Sequence, residues 1–205
     1  MTAKVSSGFR KERTEALADG IFATVMTILV LSLVVPTITG MNSVVTLESD
    51  LAKLLPDLFA YAITFIFLGV LWIGHQSSLS HIVQFDLRIL WLNIILLMGI
   101  GLIPFTTALL GRYPLQPIAD VAYGINGIAV TTLYNVLWFY PRQQHLTHEE
   151  PEAAVTIYRN RILLVGPTVY SLAVIFAFVS AYISLLLYAS VSVFYIIFGG
   201  RYAHQ

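Results

Sequence analysis

The stretch Arg13–Val35 reads RTEALADGIFATVMTILVLSLVV, and it decides the fold of the chain. It is long and apolar enough to cross a bilayer as one helix, because a span needs about 20 apolar residues. However, Asp19 lies near its start, and Thr24, Thr27 and Ser32 interrupt the apolar run. A plain membrane anchor does not need these polar residues. The pattern therefore favours a helix that lines an ion path and is held in place by the rest of the chain.

The composition indicates an integral membrane protein. Of the 205 residues, 58% are hydrophobic and only 11% are charged, with a mean hydropathy of +0.81. A soluble domain usually carries about 25% charged residues. The net charge is zero and no dense basic cluster occurs, which argues against a nucleic-acid partner. The absence of cysteine excludes disulfides, thiol catalysis and cysteine-held metals.

Six apolar segments predict six transmembrane helices in a single all-α domain, residues 1–205. The last two segments come from one apolar block, Ile162–Phe198, of 37 residues. As one helix this block would be about 56 Å long, well beyond a bilayer core of ~30 Å, so we predict a bend near Ser180–Ser184. The approximate spans are residues 16–35, 54–77, 87–110, 117–140, 160–180 and 183–199.

The basic residues predict that both termini face the inside of the cell. Nine of the eleven lysine and arginine residues fall in the segments that this topology places inside, as the positive-inside rule requires. We also expect the first helix to be retained, because no small-residue cleavage site follows Val35. The chain is then a multi-pass protein with short loops.

Four polar residues near the inner ends of the first three spans need partners, because ionisable groups at membrane depth are costly. Asp19 has two interpretations: a first-turn carboxylate favoured by its helix N-terminus, or a buried carboxylate that ties helix 1 to its neighbours. Arg13 lies about 120° away around the helix, so a direct pair within the helix is disfavoured. His75 and Asn93 fall at a similar depth to Asp19, which predicts a shared hydrogen-bond cluster that fixes helix register.

The first helix also carries a stripe in which Thr24, Ile28 and Leu31 share one face, with Thr27 at its border. One interpretation is a packing face whose threonines bond back to carbonyls of the preceding turn. The other is a narrow pore lined by methyl groups and hydroxyls, which can gate by dewetting. Asp19 lies about 140° from Thr24, so it would face the scaffold if the stripe faced the pore axis.

These motifs resemble the transmembrane protein 175 family. The segment from Arg13 to Asp19 is similar to the family signature R-x-x-x-F-S-D, with Leu17 in place of the usual Phe and Ala18 in place of the usual Ser. Three further features resemble the family patterns of helices 2 and 3: Trp72-x-x-His75, Asn93 and Pro104-Phe105-x-Thr107. Pro104 also predicts a kink in the third span.

Members of that family are potassium channels of endosomes and lysosomes, with shorter prokaryotic relatives. The resemblance implies a homotetramer with helix 1 lining a central pore, no TVGYG filter, no cofactor, and K⁺ as the permeant ion. It implies that the pore is lined by Thr24, Thr27, Ile28 and Leu31. It further implies that a polar network holds helix 1 in register, formed by Arg13, Asp19, Trp72, His75 and Asn93.

The expected function is a potassium-selective leak channel in a prokaryotic plasma membrane. Thr24 stands where the family usually has Ile or Leu, which predicts a constriction that hydrates more easily and discriminates less between potassium and sodium. The alternative is a proton-coupled secondary transporter in which Asp19 and His75 relay protons, although no inverted repeat is visible. An intramembrane enzyme built on Ser77, Ser78 and His81 is disfavoured because no motif surrounds them.

Metal binding has little support in the sequence. His75 has no second His, Cys or Glu at helical spacing. The stretch from His145 to Glu150 fits a solvated loop better than a metal site.

Overall fold

The computed structural model describes residues 7–35, 43–148 and 153–199, and these residues form an all-helical bundle. A 3-10 turn, Val30–Ser32, extends the first helix. The helices in chain order are α1 (Ser7–Leu29), α2 (Ser43–Lys53), α3 (Leu55–Ser80), α4 (Leu87–Gly101), α5 (Ile103–Arg112), α6 (Pro117–Gln143), α7 (Ala153–Phe176) and α8 (Ala181–Gly199).

Four helical stretches within the described residues are long and apolar enough to cross a membrane: Lys11–Ser32, Leu55–Ser80, Leu87–Arg112 and Ala181–Phe198. A shorter apolar helix covers Ile162–Phe176. The expectation of an all-helical membrane protein is therefore confirmed. The count of six spans and the inward position of both termini stay predictions.

The structure differs from the predicted spans at several points, among them the start of α7 at Ala153 rather than near residue 160. α1 starts at Ser7 rather than near residue 16, because a hydropathy argument detects only the apolar part of a helix. α2 forms within a connection that the sequence predicts to be a polar loop, and its Lys53 ammonium bonds to the Asp50 carboxylate at 2.6 Å. The last bend lies at residues 177–180, just before the predicted position.

The third predicted span is divided into α4 and α5 at Leu102, two residues before Pro104. Proline has no N–H to donate and disrupts the helix before it. The Leu102 N–H bonds to the carbonyls of Gly99 and Ile100, which closes α4 with a tight turn. The predicted kink in this span is therefore present.

Two features bring α6 and α7 close together. The ring of Tyr170 occupies the space next to Gly127, where a Cβ atom would lie only 2.3 Å from the ring. Pro167 interrupts α7 and leaves the carbonyl of Leu163 without its usual helical donor. The side-chain amide of Asn135 on α6 donates to that carbonyl at 3.0 Å. Small residues and side-chain hydrogen bonds are the usual means of joining helices in a membrane.

Only one side of α1 is packed against the bundle. The buried residues Ala18, Phe22, Val25 and Leu29 follow one another at helical spacing and face α3, α4 and α5. The remainder of the helix surface is uncovered in the single chain. This one-sided packing sets up the candidate site.

Candidate functional site

The covered side of α1 is fastened to α3 through Asp19. The indole N–H of Trp72 donates to Asp19 Oδ1 at 2.8 Å, and the side-chain amide of Gln76 donates to the same oxygen. Trp72 and Gln76 are four residues apart and so lie on one face of α3. Two donors from one helix therefore fix the carboxylate, and with it the rotation of α1 about its own axis.

A second polar pair lies at the same level of α3 and joins it to α4. His75 and Asn93 are both buried, and the His75 Nε2 lies 2.7 Å from Asn93 Oδ1, which joins α3 to α4. The ring of Phe22 on α1 packs against the His75 ring with centroids 5.7 Å apart. The other ring nitrogen of His75, Nδ1, is buried and has no hydrogen-bond partner among the described residues. His75 thus contacts α1 through an aromatic ring rather than through Asp19.

The uncovered side of α1 carries the predicted pore stripe. Thr24, Thr27, Ile28 and Leu31 are all exposed in the single chain, and Leu31 is the most exposed of them at 74%. Gly20 lies on the same side, with no heavy atom within 4 Å of the position that a Cβ would take. The stripe therefore does not pack against the other described residues of the subunit.

The two threonine hydroxyls bond to the backbone of their own helix. Thr24 Oγ1 donates to the carbonyl of Gly20 at 2.7 Å, and Thr27 Oγ1 donates to the carbonyl of Thr24 at 2.8 Å. A hydroxyl has one hydrogen and two acceptor lone pairs. Because the hydrogens point back to the helix, the oxygens present lone pairs on the uncovered side. Such a surface accepts hydrogen bonds or attracts a cation.

Among the predicted network residues, the structure shows two hydrogen-bonded contacts. Asp19 meets Trp72, and His75 meets Asn93, with Phe22 beside the histidine. Arg13 is exposed on the first turns of α1. The roles assigned to these residues and to the pore stripe stay predictions.

Sequence reasoning missed Gln76 as a partner of Asp19. Its spacing of one helical turn from Trp72 was the available signal. The histidine stretch at residues 145–150 lies partly outside the described residues, since Glu149 and Glu150 are not described. Within the described ranges no three His, Cys, Asp or Glu side chains come together as a metal site.

Comparison with known proteins identifies the family. The sequence model of the endosomal/lysosomal potassium channel TMEM175 matches residues 13–104. A protein of Streptomyces collinus that is named a potassium channel is 30% identical over 189 residues, which cover 89% of this chain and 90% of that protein. The chain belongs to the TMEM175 family. The resemblance carried by its first three spans is thereby confirmed.

Two further comparisons agree with membership of the TMEM175 family. A protein of Chamaesiphon minutus, also named a potassium channel, is 32% identical over 181 residues, or 84% of this chain and 86% of that protein. The crystal structure of a lysosomal potassium-selective channel TMEM175 homolog from Chamaesiphon minutus matches with a TM-score of 0.77 and 26% identity. That match covers 92% of this chain and 97% of the solved one. The fold described above is thus the TMEM175 channel fold over nearly its whole length.

Proposed function

We propose that this chain is one subunit of a potassium channel and that the uncovered side of α1 lines its central pore. The named relatives are potassium channels, which supports the choice of ion. The single observation that carries the proposal is the asymmetry of α1. Asp19 and the buried apolar residues fasten one side to the bundle, while the side with Thr24, Thr27, Ile28 and Leu31 is left open.

A face with two hydroxyl oxygens and a bare glycine is a poor surface for lipid. Polar groups in a membrane favour protein or water as neighbours. Since a single helix face cannot enclose a path, several copies of α1 must surround an axis. We propose a homotetramer, with closed cyclic symmetry as in most homo-oligomers. Ile28 and Leu31 then form apolar rings, and Thr24 and Thr27 form rings of acceptor oxygens.

Asp19, Trp72, His75 and Asn93 act in this proposal as positioning residues and do not bind the ion. Asp19 Oδ1 is already occupied by two donors, and His75 and Asn93 are buried against each other. Their role is to hold the rotation of α1 so that the stripe faces the axis. Arg13 belongs to the same signature segment, and we assign it to this support.

The identity of residue 24 tunes permeation. A ring of hydroxyls hydrates more readily than a ring of isoleucine side chains, because hydrophobic constrictions exclude water. We therefore propose that the channel leaks passively and discriminates less between potassium and sodium than relatives with an apolar residue at this position. The surrounding bilayer is expected to be a prokaryotic plasma membrane.

The test is cation flux through liposomes that contain the purified protein. We expect passive, electrogenic potassium flux that exceeds sodium flux and does not need a proton gradient. The variant Thr24→Val removes the hydroxyl at nearly constant volume. The matched control is Thr168→Val, because Thr168 is also exposed and donates to the carbonyl four residues earlier at 2.8 Å, but lies on α7.

The two variants separate pore lining from a general effect of the substitution. Thr24→Val should change the potassium flux, and Thr168→Val should leave it unchanged. Equal effects of both variants would refute the assignment of the stripe to the pore. Flux that requires a proton gradient, and that is abolished by Asp19→Asn, would favour the proton-coupled transporter instead.

A further inference from the structure

A buried carboxylate lies at the first turn of α6, and the site described above does not use it. Asp120 is fully buried and faces the first turn of α8. The hydroxyl of Ser184 lies 2.8 Å from Asp120 Oδ2, and Tyr188 donates to the backbone carbonyl of Asp120 at 2.8 Å. The second carboxylate oxygen, Oδ1, is buried without a hydrogen-bond partner among the described residues.

Even the contact to Oδ2 is only partial. The Ser184 hydroxyl lies equally close, at 2.8 Å, to the carbonyl of Ala181 in its own helix. A hydroxyl has one hydrogen, so the two acceptors share it. Asp120 therefore has at most one shared side-chain donor for two carboxylate oxygens.

No cationic side chain in the described part of the chain forms an ion pair with Asp120. The first turn of α6 adds a favourable dipole, but this is a partial charge only. α4 has no ionisable side chain at this end. The ionisable groups on the helices that contact α6 include Asp57 on α3, Arg112 on α5, Tyr170 on α7, and Tyr182 and Tyr188 on α8, and α6 itself carries Tyr123. Tyrosine side chains are neutral at ordinary pH, whereas Asp120 is a carboxylate in direct contact with α8.

A buried charge without a partner is costly in a low dielectric. A cationic side chain, a metal ion or a proton could neutralise it. Among the described residues, no cationic side chain pairs with Asp120, and no group of three acidic, histidine or cysteine side chains is present to hold a metal. A proton needs no extra space and no further ligands.

We propose that Asp120 is a proton-binding site. It carries a proton on the carboxyl group in the folded protein at low pH and releases it as the pH rises. Gln116, one turn earlier, is exposed, so the proton exchanges with water at this end of the bundle. Loss of the proton leaves an uncompensated charge between α6 and α8 and weakens the junction of these helices. This proposal does not depend on the proposed channel function.

The test compares wild type with Asp120→Asn, which has the size of the protonated acid and cannot ionise. Thermal unfolding of the purified protein in detergent, where both ends experience one pH, is followed between about pH 4 and pH 8, the range above the ordinary pKa of Asp. A proton bound more tightly in the folded state means that stability is lost as the pH rises. We expect the two proteins to unfold at similar temperatures at the acid end. At higher pH, the unfolding temperature of wild type should fall below that of Asp120→Asn by roughly 3–5 °C for each pH unit.

Two further variants make the comparison decisive. Ser184→Ala retains the carboxyl group and removes its shared donor to the charged form, so its loss of stability with pH should persist or extend to higher pH. Glu48→Gln removes an exposed carboxylate on α2 and should leave the pH dependence unchanged. If Asp120→Asn is less stable than wild type by the same amount at every pH, Asp120 is a permanently charged structural group and the proposal is wrong. Any other pair of parallel pH profiles for wild type and Asp120→Asn would overturn the proposal equally.

Discussion

Among the residues on the covered side of α1, Asp19 should cost the most stability for each atom that its substitution removes. The variant Asp19→Ala deletes the acceptor of two donors, Trp72 at 2.8 Å and Gln76. Hydrogen bonds to a charged group contribute about 1.5–3 kcal/mol each. Trp72 is 41% exposed, so its indole N–H can find water in the variant, and the lower value applies. The expected loss is about 3 kcal/mol, or a fall in Tm of roughly 6–12 °C.

Asp19→Asn separates the charge from the geometry. The amide oxygen of asparagine can take the place of Oδ1, so both donors keep an acceptor and only the charge is lost. Neutral hydrogen bonds contribute about 1 kcal/mol each, so this variant should lose about 1 kcal/mol, or roughly 2–4 °C. The control is Asp50→Asn, which removes a carboxylate from the exposed pair with Lys53 and should change stability by less than about 1 kcal/mol.

The assay is thermal unfolding in one detergent and at one pH, extended by double variants. Trp72→Phe should destabilise the wild-type background but not the Asp19→Ala background, because its partner is already gone. Gln76→Leu should behave in the same way. If Trp72→Phe has the same effect in both backgrounds, the bond from Trp72 to Asp19 does not hold α1. If Asp19→Ala and Asp19→Asn lower the stability by the same amount, the oxygen that accepts the two hydrogen bonds does not contribute to it, and the reasoning is refuted.

Three other substitutions test the pore stripe and the helix contacts. Thr24→Ile should lower potassium conductance at least about fivefold, since losing even one hydroxyl contact of the ring, about 1 kcal/mol at the barrier, has that effect; unchanged currents in a planar bilayer would contradict the pore assignment. Gly127→Ala should cost about 1–3 kcal/mol in unfolding experiments, because its Cβ would lie 2.3 Å from a tyrosine ring, whereas Gly69→Ala meets open space and should not destabilise. Asn135→Leu leaves the Leu163 carbonyl unpaired within α7 and should lower Tm by roughly 2–12 °C.

The sequence predicts well which residues lie on each side of α1, because helical spacing alone decides which residues share a face. Asp19 and Thr24 were expected on different faces, and the structure turns Asp19 towards α3 and leaves Thr24 uncovered. The kink at Pro104 follows from the chemistry of proline in the same direct way. Local rules of this kind need no knowledge of the neighbouring helix.

The partners across a helix interface could not be predicted in the same way. Depth along the membrane suggested one cluster of Asp19, His75 and Asn93, but two pairs formed instead. Membrane depth gives only the position of a residue along the helix axis. Whether two residues bond also depends on how the partner helix is rotated, and packing elsewhere in the bundle sets that rotation. α2 was missed because its short, mixed pattern resembles a polar loop when no packing partner is known.

The two carboxylates at helix interfaces, Asp19 and Asp120, show how strongly the surroundings of a carboxylate determine its effect on stability. Asp19 has two donors on one oxygen and lies partly exposed, so its charge is compensated by the protein. Asp120 is fully buried with one shared donor and an oxygen without a partner. The same change, Asp to Asn, should therefore have opposite signs at the two positions near neutral pH: a loss of stability at Asp19 and a gain at Asp120. Residue type does not distinguish the two aspartates, so a shared sign would mean that donor count and burial do not control their energetics.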